Sequence, residues 1–338
     1  MSRPSHLSAR AAHYCAAGCG GARENLQTRL NGADCPVLAI CGPTSSGKSE
    51  IALRLAAALD GEIINADSRQ IYAGMSIGTG QPDDAMRARA PHLGYGWLSP
   101  EQRYSAARFV EDADETIDAV RERGKLPLLV GGTGLYIEAL AGTMPLDRLF
   151  AEEAVRERVR AEAEVHPLQT LHDWLSVLSP QSASRVPSGD RYRILRAIEA
   201  ALTARSDVPP RSNSRPRQRR LQIVVLAVSP RELEMRVQRR VAGMFSAGLI
   251  GEAVSVRRRY GDAPALSGLG YAEALAVDAG TATQQEAVAL TVRRTLRYAK
   301  RQRTWFRRMH DAIVVDASDV DAAAATALRA AREIKTAT

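Results

Sequence analysis

The sequence predicts an α/β fold in which a parallel sheet is flanked by helices and interrupted by a helical insertion. Five short apolar or β-branched runs recur along the chain, and most are continuous rather than alternating, as in strands covered on both faces. They are Val37 to Cys41, Glu62 to Ala66, Leu126 to Val130, Leu221 to Val228, and Ala312 to Val315. Helical patterns separate these runs, which favours crossover connections between parallel strands. With 338 residues, 45% of them apolar, the chain is long enough for two domains.

The helical patterns differ between two parts of the chain. Among the strands, helices are predicted at Ser49 to Leu59, Ala106 to Arg123, and Leu233 to Arg259. From Pro145 to about Arg205 the patterns are charged, Ala-rich and uninterrupted by any strand. We therefore expect residues 1–33 to be an N-terminal extension with little order. Residues 34–145 and 212–338 would form an α/β core, and residues 146–211 a helical insertion domain.

Segments outside the predicted helices and strands also carry information. Residues 206–220 contain two adjacent prolines and five arginines against a single acid, which predicts an exposed linker. The four cysteines all occur within the first 41 residues without C-x-x-C spacing, which favours free thiols in a reducing compartment. The longest apolar runs are shorter than the roughly 18 residues that a membrane span needs. We therefore expect a cytoplasmic protein without membrane contact.

The loop after the first predicted strand has the pattern G-x-x-x-x-G-K-[ST], between a strand and a helix as the pattern requires. Its glycines allow backbone N–H groups to face an anion, its lysine adds a full charge, and its last serine can ligate Mg²⁺. A glycine turn that merely joins strand to helix is the alternative. The predicted phosphate-binding residues are Gly42, Pro43, Thr44, Ser45, Ser46, Gly47, Lys48 and Ser49.

Two further strand ends carry candidate catalytic groups. Asp67 follows the second run, at the sheet edge where open α/β proteins place ligands, and could be a helix N-cap, a Mg²⁺ ligand or a general base. The third run ends in glycines and Thr133, where nucleotide hydrolases commonly carry an acid. A hydroxyl with free amides suits an oxyanion, so ATP hydrolysis is disfavoured. A tight glycine turn is the alternative at this position.

Residues 291–308 predict a strongly basic helix without a single acid. Its cations are Arg293, Arg294, Arg297, Lys300, Arg301, Arg303, Arg307 and Arg308. Solvated helix faces usually mix charge signs, so this cluster, in a chain of net charge +8, favours a nucleic-acid partner. The insertion adds Arg185, Arg191, Arg193 and Arg196. A cleft between the two parts could hold an RNA hairpin.

Taken in order, seven segments of this sequence resemble the tRNA dimethylallyltransferase (tRNA isopentenyltransferase) family. They are GPTSSGKS, NADSRQIYAGMSIGTGQP, YSAARF, LLVGGTGLYIEAL, RYRILRAIE, LSGLGYAEAL and YAKRQRTWFR. The resemblance implies a P-loop core like that of nucleotide kinases, and an insertion that closes on the tRNA anticodon arm. It implies transfer of a dimethylallyl group from dimethylallyl diphosphate to N6 of the adenosine 3′ to the anticodon, in tRNAs that read codons beginning with U.

The same resemblance assigns roles to the candidate residues. It makes Asp67 the general base and the phosphate loop the site of the donor's diphosphate, with Mg²⁺ at Ser49. Thr133 and an arginine, Arg236 in preference to Arg240, would stabilise the departing diphosphate. The implied partners are the tRNA anticodon stem-loop and dimethylallyl diphosphate, and we expect a monomer that needs no stable protein partner.

The resemblance also implies a set of tRNA contacts. They are Asp67, Ser68, Arg69, Gln70, Arg156, Tyr192, Arg193, Ile194, Leu195, Arg196, Ser267, Gly268, Leu269, Gly270, Tyr271, Ala272, Lys300, Arg301, Gln302, Arg303, Thr304, Trp305, Phe306 and Arg307. Three features depart from the family pattern. Gln81 stands where lysine is usual, Ala272 where a basic residue is common, and PHLGYGWLSP replaces a His-His-Leu-Ile-Asp-like segment.

Three other functions compete with this interpretation. A kinase of a small metabolite would explain the phosphate loop but leaves the basic helix without a task. An enzyme that prenylates free AMP would use the same loop, Asp67 and Thr133, but would not need the insertion. An RNA-binding protein without activity would not need Asp67 and Lys48 together.

Overall fold

The computed structural model describes residues 36–144, 153–203 and 219–333. It contains a six-stranded sheet in the order β3-β2-β4-β1-β5-β6, and all neighbouring strands are parallel. The strands are β1 (Val37–Cys41), β2 (Gly61–Asn65), β3 (His92–Leu93), β4 (Leu126–Gly131), β5 (Leu221–Ala227) and β6 (Ile313–Asp316). The predicted α/β fold with a parallel sheet is confirmed.

Fourteen α-helices occur in the described residues. They are α1 (Lys48–Leu59), α2 (Ser76–Thr79), α3 (Asp84–Arg89), α4 (Ala106–Glu122), α5 (Gly134–Leu140), α6 (Glu153–Val165), α7 (Leu168–Leu178), α8 (Pro180–Ala183), α9 (Arg191–Thr203), α10 (Pro230–Ser246), α11 (Leu249–Tyr260), α12 (Tyr271–Asp278), α13 (Gln284–Phe306) and α14 (Val320–Glu333). A 3₁₀ turn at Pro264–Ser267 precedes α12. Helix α13 is the predicted basic helix, and a capping box between Thr283 and Glu286 fixes its start.

Alternate residues of the central strands pack into two apolar clusters, one on each face of the sheet. In β1, Leu38 and Ile40 belong to one cluster, whereas Val37, Ala39 and Cys41 belong to the other. All five residues are fully buried. This two-sided burial explains why the strands are continuous apolar runs in the sequence.

Helices α6 to α9 share a third apolar cluster. Val159, Leu171, Leu175, Ile194 and Ile198 belong to it, and all five are fully buried. The described part of the predicted insertion thus has apolar residues that pack on one another. The predicted boundaries of the insertion and the N-terminal extension lie outside the described residues and stay predictions.

Three details of the fold differ from the sequence-based predictions. His92–Leu93 pairs with β2 as a sixth strand, too short to give a periodic signal. The long helix predicted from Leu233 to Arg259 is two helices, because Gly248 adopts a left-handed conformation, with φ of 102°, that breaks the first one. Arg219, expected in an exposed linker, is buried: its guanidinium contacts Asp114 and lies 2.7 Å from an Asp118 oxygen.

The strand order brings three candidate segments to one edge of the sheet. Strand β4 lies between β1 and β2, with Gly131 paired to Cys41 and Val130 paired to Asn65. Because these strands are parallel, the segments that follow them leave the same edge. The phosphate loop, Asp67 and Thr133 are therefore neighbours.

Candidate active site

The phosphate loop joins β1 to α1 through an unusual backbone path. Gly42, Ser45 and Gly47 all have positive φ, and a Cβ at Gly42 would lie 2.9 Å from the Leu226 carbonyl oxygen. The hydroxyls of Ser45 and Ser46 are buried without a hydrogen-bond partner among the described residues. Buried polar groups normally have a partner, so these hydroxyls fit a ligand with acceptor oxygens.

Lys48 folds back over this loop. Its Nζ donates to the Gly42 carbonyl at 3.0 Å and to the Pro43 carbonyl at 2.7 Å. Burial lowers the pKa of Lys48 to about 8, against the opposing effect of the Asp67 carboxylate. Burial also lowers the pKa of Arg240, and Asp67 opposes that shift as well. Lys48, Asp67 and Arg240 therefore interact electrostatically in one site.

Asp67 is held in a turn after β2. Its backbone N–H donates to the Asn65 side chain at 2.8 Å, and its own carboxylate accepts the Arg69 N–H at 2.9 Å. This contact closes an Asx turn, and in the described residues the next helix begins only at Ser76, so the interpretation of Asp67 as a helix cap is wrong. The carboxylate is partly exposed at the edge of the sheet.

Thr133 is bonded to the same turn. Its hydroxyl accepts the Ser68 N–H at 3.0 Å and donates to the Ser68 hydroxyl at 3.3 Å. A Cβ at Gly131 would lie only 2.1 Å from the Ala66 carbonyl oxygen, so glycine is required for the two segments to approach. Thr133 and Asp67 thus share a network that fixes their separation.

The two candidate arginines lie in α10 and have different partners. Arg236 donates to Glu232 at 2.7 Å and to the carbonyl oxygens of Ala317 and Ser318 at 3.0 and 3.3 Å. Arg240 donates to the Thr79 carbonyl at 3.1 Å and interacts electrostatically with Lys48 and Asp67. A Cβ at Gly47 would lie 3.8 Å from the Arg236 guanidinium, so Arg236 also lies beside the phosphate loop. Both arginines stay candidates, and the preference for Arg236 over Arg240 stays a prediction.

Helix α13 presents its cations beside the site. Seven of the eight predicted cations are exposed and Arg303 is half-buried. Within the described residues, Arg294 alone among them forms an ion pair, with the buried Glu273 at 2.7 Å. Like charges this close need an external polyanion or solvent to offset their repulsion, so the surface suits phosphates.

Four predicted tRNA contacts have side chains in the interior. Ile194 and Tyr271 are fully buried, Gln302 is 5% exposed and Phe306 is 3% exposed. Helical periodicity turns these four side chains toward the core, so contact with tRNA at these positions would have to use the backbone, and it stays a prediction. Gly268 and Gly270 are buried as well.

The exposed predicted contacts form two groups. On α9, Tyr192 is 69% exposed and the Arg196 guanidinium lies over its ring, 5.5 Å from the centroid. In the α/β core domain, the exposed Arg69 donates to the Ser267 hydroxyl at 3.3 Å. This contact links the turn after Asp67 to the loop before α12. The other exposed or half-buried members are Asp67, Ser68, Gln70, Arg156, Arg193, Leu195, Leu269, Ala272, Lys300, Arg301, Arg303, Thr304, Trp305 and Arg307.

Two of the departures from the family pattern are coupled in space. The Gln81 amide donates to the Tyr72 carbonyl at 2.8 Å, and a Cβ at Gly96 would lie 2.7 Å from the other end of that amide. Gln81 thus occupies space that the glycine leaves open. This close contact was not apparent in the sequence.

The parallel sheet and the glycine-rich loop after β1 define a P-loop α/β protein, and a basic helix lies beside that loop. Residues 70–309 match the family model described as IPP transferase, and residues 35–89 match the model described as isopentenyl transferase. The chain belongs to the IPP transferase family.

Named relatives and solved structures agree with this assignment. A tRNA dimethylallyltransferase of Halorhodospira halophila is 42% identical, with 84% of this chain and 94% of that protein covered. One of Geobacter sulfurreducens is 38% identical over 82% of this chain and 90% of that protein. The crystal structure of the tRNA isopentenylpyrophosphate transferase from Bacillus halodurans is 31% identical, with a TM-score of 0.64 and coverage of 90% and 99%. A eukaryotic dimethylallyltransferase acting on tRNA, 22% identical with a TM-score of 0.68 and coverage of 85% and 75%, supports the fold.

The described helices include none with the length and apolar character needed to cross a bilayer.

Proposed function

We propose that this protein is a tRNA prenyltransferase that moves a dimethylallyl group from dimethylallyl diphosphate to the exocyclic N6 of an adenosine. The acceptor is the adenosine 3′ to the anticodon, in tRNAs that read codons beginning with U. The observation that carries the proposal is the meeting of Lys48, Asp67 and Thr133 at one sheet edge beside the basic helix α13. A small-molecule kinase would not need that helix.

The chemistry divides between an anion site and a base. The N6 lone pair bonds to C1 of the donor, the C1–O bond breaks, and its electron pair leaves with diphosphate. Lys48, the amides of the phosphate loop and an arginine of α10, Arg236 or Arg240, stabilise the charge on that leaving group. Asp67 takes the proton from N6, because an aromatic amine is a weak nucleophile until it loses this proton. Thr133 is hydrogen-bonded to Ser68, so its hydroxyl is held beside the turn that carries the base.

Mg²⁺ fits this site as a partner of the diphosphate. The described residues contain no cluster of three or more His, Cys, Asp or Glu side chains that could hold a metal by themselves. The exposed Ser49 hydroxyl at the start of α1 is available as one ligand, and diphosphate oxygens and water would complete the shell. When bound, the ion would neutralise charge on the leaving diphosphate.

The RNA surface combines α13 with the exposed face of α9. We propose that residues 146–211 form a separate insertion domain, and that its exposed Tyr192, Arg193 and Arg196 contact the anticodon arm. The target adenine must leave the loop stack to reach Asp67, which costs a few kcal/mol that these contacts offset.

The direct test is incubation with dimethylallyl diphosphate, Mg²⁺ and an unmodified anticodon stem-loop, followed by mass spectrometry of the digested RNA. We expect one adenosine to gain a five-carbon group. Parallel reactions with AMP in place of RNA, and with ATP in place of the donor, test the competing functions. Prenylation of AMP at the same rate, or ATP turnover without RNA, would contradict the proposal.

The affinity for diphosphate should fall as the pH rises above about 8. The pKa of Lys48 is lowered to about 8, so its amine is charged below that pH and becomes neutral above it. The charged form attracts the diphosphate, so binding is stronger on the acid side. Calorimetric titration of diphosphate at pH 7 to 9 measures this. Lys48→Arg, whose guanidinium stays charged throughout this range, supplies the baseline for titration of the ligand itself. A wild-type profile parallel to that baseline would exclude Lys48 as the cause.

Replacing Arg301 with alanine should weaken RNA binding by the same factor for every RNA sequence, because a phosphate contact does not read the bases. Arg301 is exposed on α13, and removing one phosphate-binding cation there should reduce the slope of log K against log salt by about 1. Filter binding or fluorescence anisotropy at several salt concentrations measures the slope. Arg329→Ala, an exposed arginine on α14, should leave it unchanged. An unchanged slope for Arg301→Ala would remove this position from the RNA surface.

A further inference from the structure

Gln302 joins the basic helix to the phosphate loop. It lies on α13 between the exposed Arg301 and the half-buried Arg303, yet its own side chain is only 5% exposed. Its Oε1 accepts the backbone N–H of Thr44 at 2.9 Å. Its Nε2 donates to the carbonyl oxygen of Gly132 at 2.8 Å. One amide group, the Gln302 bridge, therefore connects α13 to the loops after β1 and β4.

The chemistry of the bridge is specific to glutamine. An amide offers an acceptor and a donor at once, whereas glutamate would offer acceptors alone and add a negative charge beside an anion site. Gly132 is matched to it, because a Cβ there would lie 2.3 Å from Gln302 Nε2 and 3.4 Å from the Gly42 carbonyl oxygen. Position 132 thus cannot carry a side chain while the bridge is present.

The loop held by the bridge has a strained backbone. Ser45, next to Thr44, has φ of 63°, a backbone conformation that residues other than glycine rarely adopt. The Ser45 and Ser46 hydroxyls are buried without partners in the described part of the chain. The Thr44 N–H, in contrast, is fixed by a residue 258 positions away in the sequence. The loop shape therefore depends on where α13 lies.

We infer that Gln302 is a positioning residue that couples RNA binding on α13 to diphosphate binding in the phosphate loop. This inference rests on the proposed function. RNA held by the cations beside Gln302 restrains the helix, and the bridge passes that restraint to Thr44 and Gly132. A loop already restrained loses less conformational entropy when it binds the anion. Coupling of this kind is reciprocal, so diphosphate should raise the affinity for RNA by the same factor.

The test measures the affinity for inorganic diphosphate with Mg²⁺, by calorimetry, for the free protein and for the protein saturated with anticodon stem-loop. For the wild type we expect RNA to raise this affinity by about 5- to 150-fold, the usual range of such coupling. Gln302→Met keeps the volume and removes both hydrogen bonds, so the ratio should fall toward 1 while RNA affinity is retained. Gln302→Glu keeps an oxygen that can accept the Thr44 N–H but loses the donor to Gly132, so it should also lower the ratio. It serves as the test if Gln302→Met fails to fold.

Gln285→Met is the matched control, because Gln285 is exposed near the start of the same helix. It should show the wild-type ratio. A ratio near 1 for the wild type, or a wild-type ratio in both Gln302 variants, would overturn the inference, and the bridge would then be a purely structural contact. A wild-type protein that binds no diphosphate at all would instead refute the proposed donor site.

Discussion

Replacing Asp67 with asparagine is expected to lower the rate constant for prenyl transfer by about 10²- to 10⁴-fold, the usual contribution of a general base. Asparagine keeps the side-chain oxygen that accepts the Arg69 N–H, so the turn after β2 should retain its shape. It cannot take the proton from N6. Single-turnover transfer to an anticodon stem-loop measures the rate constant for the chemical step.

The same variant should bind diphosphate at least as well as the wild type at pH 7. The Asp67 carboxylate lies in the electrostatic field of Lys48 and Arg240, where it repels an anion. A loss of transfer with retained diphosphate binding therefore separates a base from a ligand-binding group. Asp84→Asn, an exposed acid of α3, is the control and should transfer at the wild-type rate. Normal transfer by Asp67→Asn would remove Asp67 from the role of base.

Local sequence patterns predicted the sheet because burial on both faces leaves a direct trace. Strands β1 and β4 lie in the middle of the sheet, and continuous apolar runs are what such strands require. The phosphate loop was found from eight consecutive residues, since its glycine and lysine positions are fixed by local backbone geometry. Strand β3 was missed because its two residues are held by pairing with β2 rather than by an apolar pattern.

Contacts between distant segments could not be read from the sequence. Gln302 is bordered by cations on both sides, and its neighbours place it on an RNA surface, whereas its partners Thr44 and Gly132 draw it into the interior. Arg219 in an arginine-rich stretch is buried because Asp114 and Asp118, more than 100 positions earlier, neutralise it. The surroundings of Arg236 and Arg240 likewise depend on distant segments. Arg236 contacts the Ala317 carbonyl after β6, and Arg240 contacts the Thr79 carbonyl of α2. Spacing along one helix contains none of this information.

The roles assigned to the candidate site stay predictions, but their arrangement limits the alternatives. Asp67 and Thr133 are tied to each other through Ser68, and the phosphate loop is tied to Gly132 through Gln302. Base, hydroxyl and anion site are therefore held by one hydrogen-bonded frame. A change at Asp67 is expected to slow proton removal, whereas a change in the phosphate loop is expected to weaken donor binding. Replacement of Lys48 tests the second expectation.

Replacing Lys48 with alanine is expected to abolish detectable binding of dimethylallyl diphosphate and to lower transfer by several orders of magnitude. The loss has two sources. A full positive charge disappears from a buried site where charge interactions are strong, and the carbonyl oxygens of Gly42 and Pro43 lose the ammonium group that contacts them. Unopposed carbonyl oxygens would also repel the incoming anion.

RNA binding provides the contrast, because α13 and its exposed cations are unchanged in this variant. Lys48→Ala should therefore bind the anticodon stem-loop with wild-type affinity in the absence of donor, as measured by fluorescence anisotropy. Lys125→Ala is the matched control: this lysine pairs with Asp60 at 2.6 Å between α1 and β4, and its loss should leave donor binding intact. If Lys48→Ala bound the donor normally, the phosphate loop could not be the donor site, because its one full charge would have no part in holding the anion.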